Sequence, residues 1–181
     1  MRVFRLATGG LLTLSLIPAL ILSLVLGSPA VADVADYPAI KVTRVVASGL
    51  DTPWGLAFLP DGSALVSERD SGKIKRIDPR GRVGTNVTTV GRIKGVASAG
   101  EGGLLGIAVA TPQGSSAPVL FAYLTSRSDN RVVRVQLLKG GKRLGKQQPI
   151  VTRIPKATNH NGGRLLVGTD QTLFIATGDA G

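Results

Sequence analysis

Three glycines at near-equal intervals constrain this chain more than any other feature. Gly55, Gly106 and Gly163 lie 51 and 57 positions apart, and each stands at the head of a short strand-like run. After the first, Gly55 to Leu59 leads through Asp61-Gly62 to Ala64–Ser67, and Ser71-Gly72 then separates that run from Lys73–Ile77. Apolar runs of four to eight residues broken by Asp-Gly and Ser-Gly pairs read as antiparallel strands joined by tight turns. The pattern returns in Gly106–Val109, Val119–Leu124 and Arg131–Leu137, and again in Arg164–Val167 and Leu173–Ala176. No segment after the leader has helical periodicity, so the chain is expected to be all-β. A repeat of roughly fifty residues, each unit a small antiparallel sheet, is the spacing of propeller blades.

The length sets a tension with that expectation. From Asp33 to Gly181 there are 149 residues, room for about three blades of roughly 45 to 50 residues, whereas closed propellers typically use four to eight. The third repeat breaks off after its second strand. The chain is therefore expected to form an incomplete β-propeller, the N-terminal part of a longer ring, since an open ring exposes an apolar blade face and unpaired edges. The alternative is a small sandwich that buries both of its sheets itself.

Residues 1–32 are expected to be a signal peptide, with residues 33–181 as the propeller domain. Arg2 and Arg5 precede an apolar run from Leu11 to Leu26, and Ala30-Val31-Ala32 satisfies the small-residue cleavage rule. An uncleaved anchor is the competing reading, and Pro18 within the run together with the Ala-x-Ala ending favours cleavage. The protein is then secreted or held in the cell envelope, without stable membrane insertion after cleavage. The chain has no cysteine, which removes disulfides and thiolate metal sites from consideration. The exported part would carry 20 basic and 11 acidic side chains. These charges are spread over turns and strand edges, with few aromatics, so they do not form a nucleic-acid reader; a solvated basic surface able to attract anions fits better.

The polar corner Asn159-His160-Asn161-Gly162-Gly163 holds the chain's single histidine, and Asp179 follows nineteen positions later at the matching end of the next apolar run. An antiparallel hairpin would bring this imidazole and carboxylate to one rim, the arrangement that orients a general base and stabilises its charged form. A turn histidine without chemistry is the plain alternative.

Four stretches together resemble the soluble quinoprotein glucose/sorbosone dehydrogenases, including aldose sugar dehydrogenases: Gly49-Leu50-Asp51-Thr52-Pro53-Trp54-Gly55 through Gly62; Ser67-Glu68-Arg69 with Gly72-Lys73-Ile74; Gly100-Glu101-Gly102-Gly103-Leu104-Leu105-Gly106; and Asn159 to Leu165 leading to Thr177-Gly178-Asp179. The similarity runs from about Val45 to Gly181. It implies a six-bladed propeller carrying pyrroloquinoline quinone and calcium at one mouth, and oxidation of the anomeric hydroxyl of a sugar with hydride transfer to the quinone. His160 falls on the family's catalytic base and Asp179 on its carboxylate partner. Glu101 and Asn159 fall on cofactor-facing positions, where the glucose dehydrogenase pattern can have glutamine and aspartate. A carboxylate facing a cofactor that carries carboxylates repels it unless protonated or paired, so Glu101 is also readable as a solvated loop acid. Asn159 can hydrogen-bond but brings no charge.

The resemblance further implies that most groups gripping the quinone, and the calcium ligands, lie beyond Gly181. Within the chain no metal ligand is assigned. Arg69 and Arg164 are expected in blade-to-blade contacts, and Trp54 as an apolar anchor between blades. The expected partner is a small sugar, with an electron acceptor that the sequence does not identify. Two rivals stand beside the dehydrogenase: a non-catalytic binding propeller at the cell surface, and a metal-dependent lactonase of similar architecture, for which one histidine and scattered acids are a poor ligand set.

Overall fold

A computed structural model describes residues 41, 42 and 44–181; the expected signal peptide lies outside them. Ten strands run in chain order: β1 (Pro53–Phe58), β2 (Ala64–Glu68), β3 (Lys73–Ile77), β4 (Val87–Arg92), β5 (Leu104–Ala110), β6 (Val119–Thr125), β7 (Asn130–Leu138), β8 (Arg143–Ile154), β9 (Gly162–Val167) and β10 (Leu173–Thr177). They make two four-stranded sheets, β1-β2-β3-β4 and β5-β6-β7-β8, and a two-stranded sheet of β9 and β10. Every pairing is antiparallel between sequence neighbours. This is the blade pattern of a β-propeller, three successive sheets of a ring that does not close among the described residues. A two-sheet sandwich is excluded, because the sheets follow one another as separate meanders.

The turns explain why the hairpins form where they do. In the β1–β2 turn, Leu59 N–H donates to the Ser63 carbonyl at 2.8 Å and Gly62 N–H to the Leu59 carbonyl at 3.0 Å. The β9–β10 turn repeats this, with Gly168 donating to Thr172 at 2.8 Å and Gln171 to Gly168 at 3.0 Å. Each turn carries an aspartate, Asp61 or Asp170, whose carboxylate accepts from the amide two residues on, at 3.0 Å in both cases, the self-capping that makes Asp a turn residue. Gln171 adopts a φ of 67° where the first turn has Gly62 at 81°. The repeat thus extends to turn chemistry even where glycine has been replaced.

The repeat glycines mark the innermost strands. β1, β5 and β9 lie side by side, and a Cβ on Gly55 would come within 2.9 Å of the Leu105 carbonyl and the Ile107 amide. A Cβ on Gly106 would run into the Gly163 carbonyl. Only a residue without a side chain lets one blade's inner strand approach the next this closely. Side chains of neighbouring sheets then fill the space between blades. Leu65, Ile74 and Ile93 of the first sheet and its following loop pack with Leu104, Leu120, Leu124 and Val133 of the second, all essentially without solvent contact. A second cluster joins Leu105, Tyr123 and Val132 to Leu165 of the third sheet.

Two strands were not visible in the repeat. β4 has one buried residue, Val90, and β8 contains Lys146, Gln147, Gln148 and Pro149 and pairs with β7 through three register shifts. Both are outermost strands with water on one side, so they lack the apolar signal of the inner ones. Trp54 stands on the face of β1 that meets no other sheet among the described residues. It is 52% exposed, because β1 turns Gly55 and Ala57 toward the second blade and leaves Trp54, Leu56 and Phe58 on the opposite face. Its ring lies under the Arg69 guanidinium at 5.1 Å, a cation–π contact.

Candidate active site

The hairpin β9–β10 determines where the site forms. Thr177 pairs with Gly162, so the segment entering β9 and the segment leaving β10 finish at the same rim. His160 lies two residues before β9 and Asp179 two residues after β10. Gly178 passes so close to the His160 carbonyl that a Cβ there would overlap it. The result is a contact of 3.1 Å between His160 Nδ1 and Asp179 Oδ1. The side chains are 57% and 79% exposed, so the pair stands open at the rim.

Electrostatics define the tautomer. The Gly181 amide, and after it the His160 side chain, hold the Asp179 carboxyl below the usual aspartate range. Ionised at neutral pH, it can only accept a hydrogen bond, so of the two neutral tautomers the one with its proton on Nδ1 and its lone pair on Nε2 fits the contact. An imidazole so arranged can take a proton at Nε2 while a carboxylate stabilises the charge that develops.

The residue after the histidine anchors the corner. Asn161 is 2% exposed; its Oδ1 accepts from Asn130 Nδ2 at 3.0 Å and from the Ala157 amide at 3.2 Å, and its Nδ2 donates to the Ala157 carbonyl at 2.9 Å. Its carbonyl accepts the buried Tyr123 hydroxyl at 2.9 Å. Burial pushes the Tyr123 phenol up to about 12, so it remains a donor at any physiological pH. Asn130 also donates to the Pro155 carbonyl at 2.8 Å and accepts from Thr125 Oγ1 at 2.7 Å. The second blade therefore grips the loop that carries His160 through a closed polar network. Asn161 is visible in the sequence only as part of its motif, and Asn130 lies in a polar turn that does not mark it; Tyr123, a polar group within the apolar run Val119–Leu124, is the one available signal.

Glu101 reaches the same corner from the loop before β5. One of its oxygens, Oε2, accepts the backbone amide of His160 at 2.8 Å. Asn159 sits exposed beside it, its side-chain oxygen 3.1 Å from where a Cβ on Gly181 would stand. All four residues singled out from sequence, His160, Asp179, Glu101 and Asn159, thus share one rim. Arg69 is engaged at a blade junction: its carbonyl accepts from Leu104 N–H at 2.9 Å and its Nε donates to Asp70 at 2.9 Å. Arg164 lines a groove of about 320 Å³ along the inner strands with Trp54, Gly106 and Thr177. Among the described residues no group of three or more His, Asp or Glu side chains is placed to hold a metal ion, and no helix is long and apolar enough to cross a membrane.

Comparison with known proteins gives the chain's family. The glucose/sorbosone dehydrogenase family model matches residues 50–181. The structure superposes on the PQQ-bound form of aldose sugar dehydrogenase from Streptomyces coelicolor with a TM-score of 0.70 and 46% identity, covering 78% of this chain and 42% of that one. Quinoprotein glucose dehydrogenase B of Acinetobacter calcoaceticus is 28% identical over 148 residues, 76% of this chain and 30% of that protein. An uncharacterized protein of Synechocystis, slr1608, is 30% identical over 155 residues, 81% of this chain and 37% of that protein. The chain thus spans well under half the length of the relatives it matches. With the family model covering the whole region from the first inner strand to Asp179, the chain belongs to the glucose/sorbosone dehydrogenase family.

Proposed function

We propose that these blades belong to an exported, quinone-dependent dehydrogenase that oxidises the anomeric hydroxyl of aldose sugars, with His160 as its general base and Asp179 as the carboxylate that orients it. The observation that carries this reading is the 3.1 Å contact between His160 Nδ1 and Asp179 Oδ1 at an open rim. A sugar hydroxyl gives up hydride from its carbon readily only as its proton leaves. His160 Nε2 is the acceptor for that proton, and Asp179 holds the imidazolium that results. Coverage by the relatives and the open apolar face of Trp54, Leu56 and Phe58 support reading the chain as part of a larger ring.

The residues present suit one side of a quinone site: a base whose Nε2 can be left free, the amide of Asn159 to face the cofactor, and Glu101, which can face it only where its charge is paired or protonated. When bound, pyrroloquinoline quinone supplies the hydride acceptor. The groups that would grip its carboxylates, and the calcium ligands, are proposed to come from further blades. Cleavage after Ala32 and an extracytoplasmic location complete the proposal, on the strength of the Arg2, Arg5, apolar-run and Ala-x-Ala pattern.

The test is steady-state oxidation of several aldoses by the complete protein, with and without added quinone and calcium, using an artificial electron acceptor. Turnover that requires the quinone is expected. Its absence across all aldoses would shift the assignment to a binding propeller.

A further inference from the structure

The backbone of His160 is held from both sides. Its φ of 53° lies in the left-handed region, which a residue bearing Cβ adopts uncommonly. On one side the His160 carbonyl accepts from Ala180 N–H at 3.3 Å. On the other, the His160 amide donates to Glu101 Oε2 at 2.8 Å, across 59 positions of sequence.

Glu101 is itself fixed. Its amide donates to the Thr158 carbonyl at 2.8 Å, and Gly102 donates to Ala99 at 2.9 Å, closing a tight loop. Gly100, at a φ of 57°, lies so near Thr158 that any Cβ would strike the Thr158 carbonyl. The loop that ends the first blade is thereby docked onto the segment that enters β9.

We infer that Glu101 is a positioning residue: by accepting the His160 amide it holds the histidine in its left-handed conformation, so that Nδ1 meets Asp179 and Nε2 is left free for the substrate. This role rests on the reading of His160 as the base, and it needs only one carboxylate oxygen. Because the amide requires an acceptor and not a charge, glutamine can replace Glu101, whereas alanine removes the acceptor. Asp179 orients the ring, and Glu101 orients the backbone from which the ring projects.

His160 is the only histidine of the chain, so imidazole ¹⁵N signals of the full chain report it alone. Above the pH at which the ring is neutral, the wild type is expected to show the Nδ1–H tautomer. Glu101→Ala is expected to move the signals toward the Nε2–H form that an unconstrained imidazole prefers, and to speed His160 amide hydrogen exchange by about tenfold or more. Glu101→Gln is expected to restore both. Should Glu101→Ala fail to fold, Glu101→Asp, one methylene too short, is expected to show the same two changes. Unchanged tautomer and exchange in a folded Glu101→Ala or Glu101→Asp would overturn the assignment, as would equal loss in Glu101→Gln. A wild type already in the Nε2–H form contradicts the pairing with Asp179 and thus the base reading, and is distinguishable from failure at Glu101, which is read on the amide.

Discussion

The space between the first two blades and the rim corner around His160 are built on opposite plans. Between the blades, the side chains of Leu65, Ile74, Leu104 and Leu120 are sealed from water and packed by apolar area, a non-directional force that tolerates small rearrangements, with a few hydrogen bonds such as Ser67 Oγ to the Leu105 carbonyl at 2.7 Å beside them. At the rim, His160 is more than half exposed, and its position is specified by directional bonds to Glu101, Asp179 and Ala180, backed by Asn161 and Tyr123 beneath. The difference teaches that stability and alignment reside in separate residues here. Damage to one should leave the other largely intact.

The largest expected effect on stability comes from the apolar side. Leu120→Ala should cost about 2–5 kcal/mol, since the leucine is fully buried and its neighbours belong to two sheets that cannot collapse independently. Urea unfolding measures the loss, while the His160 imidazole signals of the folded fraction should not move. A shifted tautomer in Leu120→Ala would mean that the corner depends on blade packing, and the comparison would fail.

A smaller effect is expected where the two plans meet. Tyr123→Phe keeps the ring in the apolar cluster but strips the Asn161 carbonyl of its donor, at a cost of about 1–3 kcal/mol. Unlike Leu120→Ala, it should also disturb the His160 signals, because Asn161 follows the histidine directly. A loss of stability with unchanged signals would show Tyr123 to be packing only.

The smallest effect belongs to acid. The Ser63 hydroxyl and amide hold Asp61 at about 2, and Arg69, followed by Ser98, holds Asp70 at about 2. Folded values depressed below the unfolded ones mean a contribution that is complete above the ordinary carboxylate range and is lost as pH falls. The melting temperature should therefore decline modestly between about pH 4 and about pH 2, and Asp61→Asn should shallow that decline. Both groups are surface carboxylates, so the slope should be shallow. A flat profile would remove them from the account of the first blade.

Much of this was legible in the sequence, for reasons that differ by element. The inner strands announced themselves because Gly55 and Gly106 are required where backbone meets backbone, and Gly163, at a φ of 105°, where the strand passes against Leu105 and Tyr123. The nearness of His160 and Asp179 followed from hairpin symmetry, since residues equally far from one turn end at one rim. β4 and β8 escaped notice because a solvated outer strand has no apolar period to read. The contact of Glu101 with the His160 amide could not be seen at all: it joins a side chain to a backbone group on another blade, and backbone groups leave no mark in sequence.

The most direct test of the central claim is the turnover of His160→Ala in the complete protein, measured with an aldose, added quinone and calcium, and an artificial electron acceptor. If His160 accepts the sugar's proton, kcat should fall by about a hundredfold to ten-thousandfold, the usual worth of a placed base, while quinone affinity and melting temperature stay near those of the wild type. Turnover equal to the wild type would contradict it.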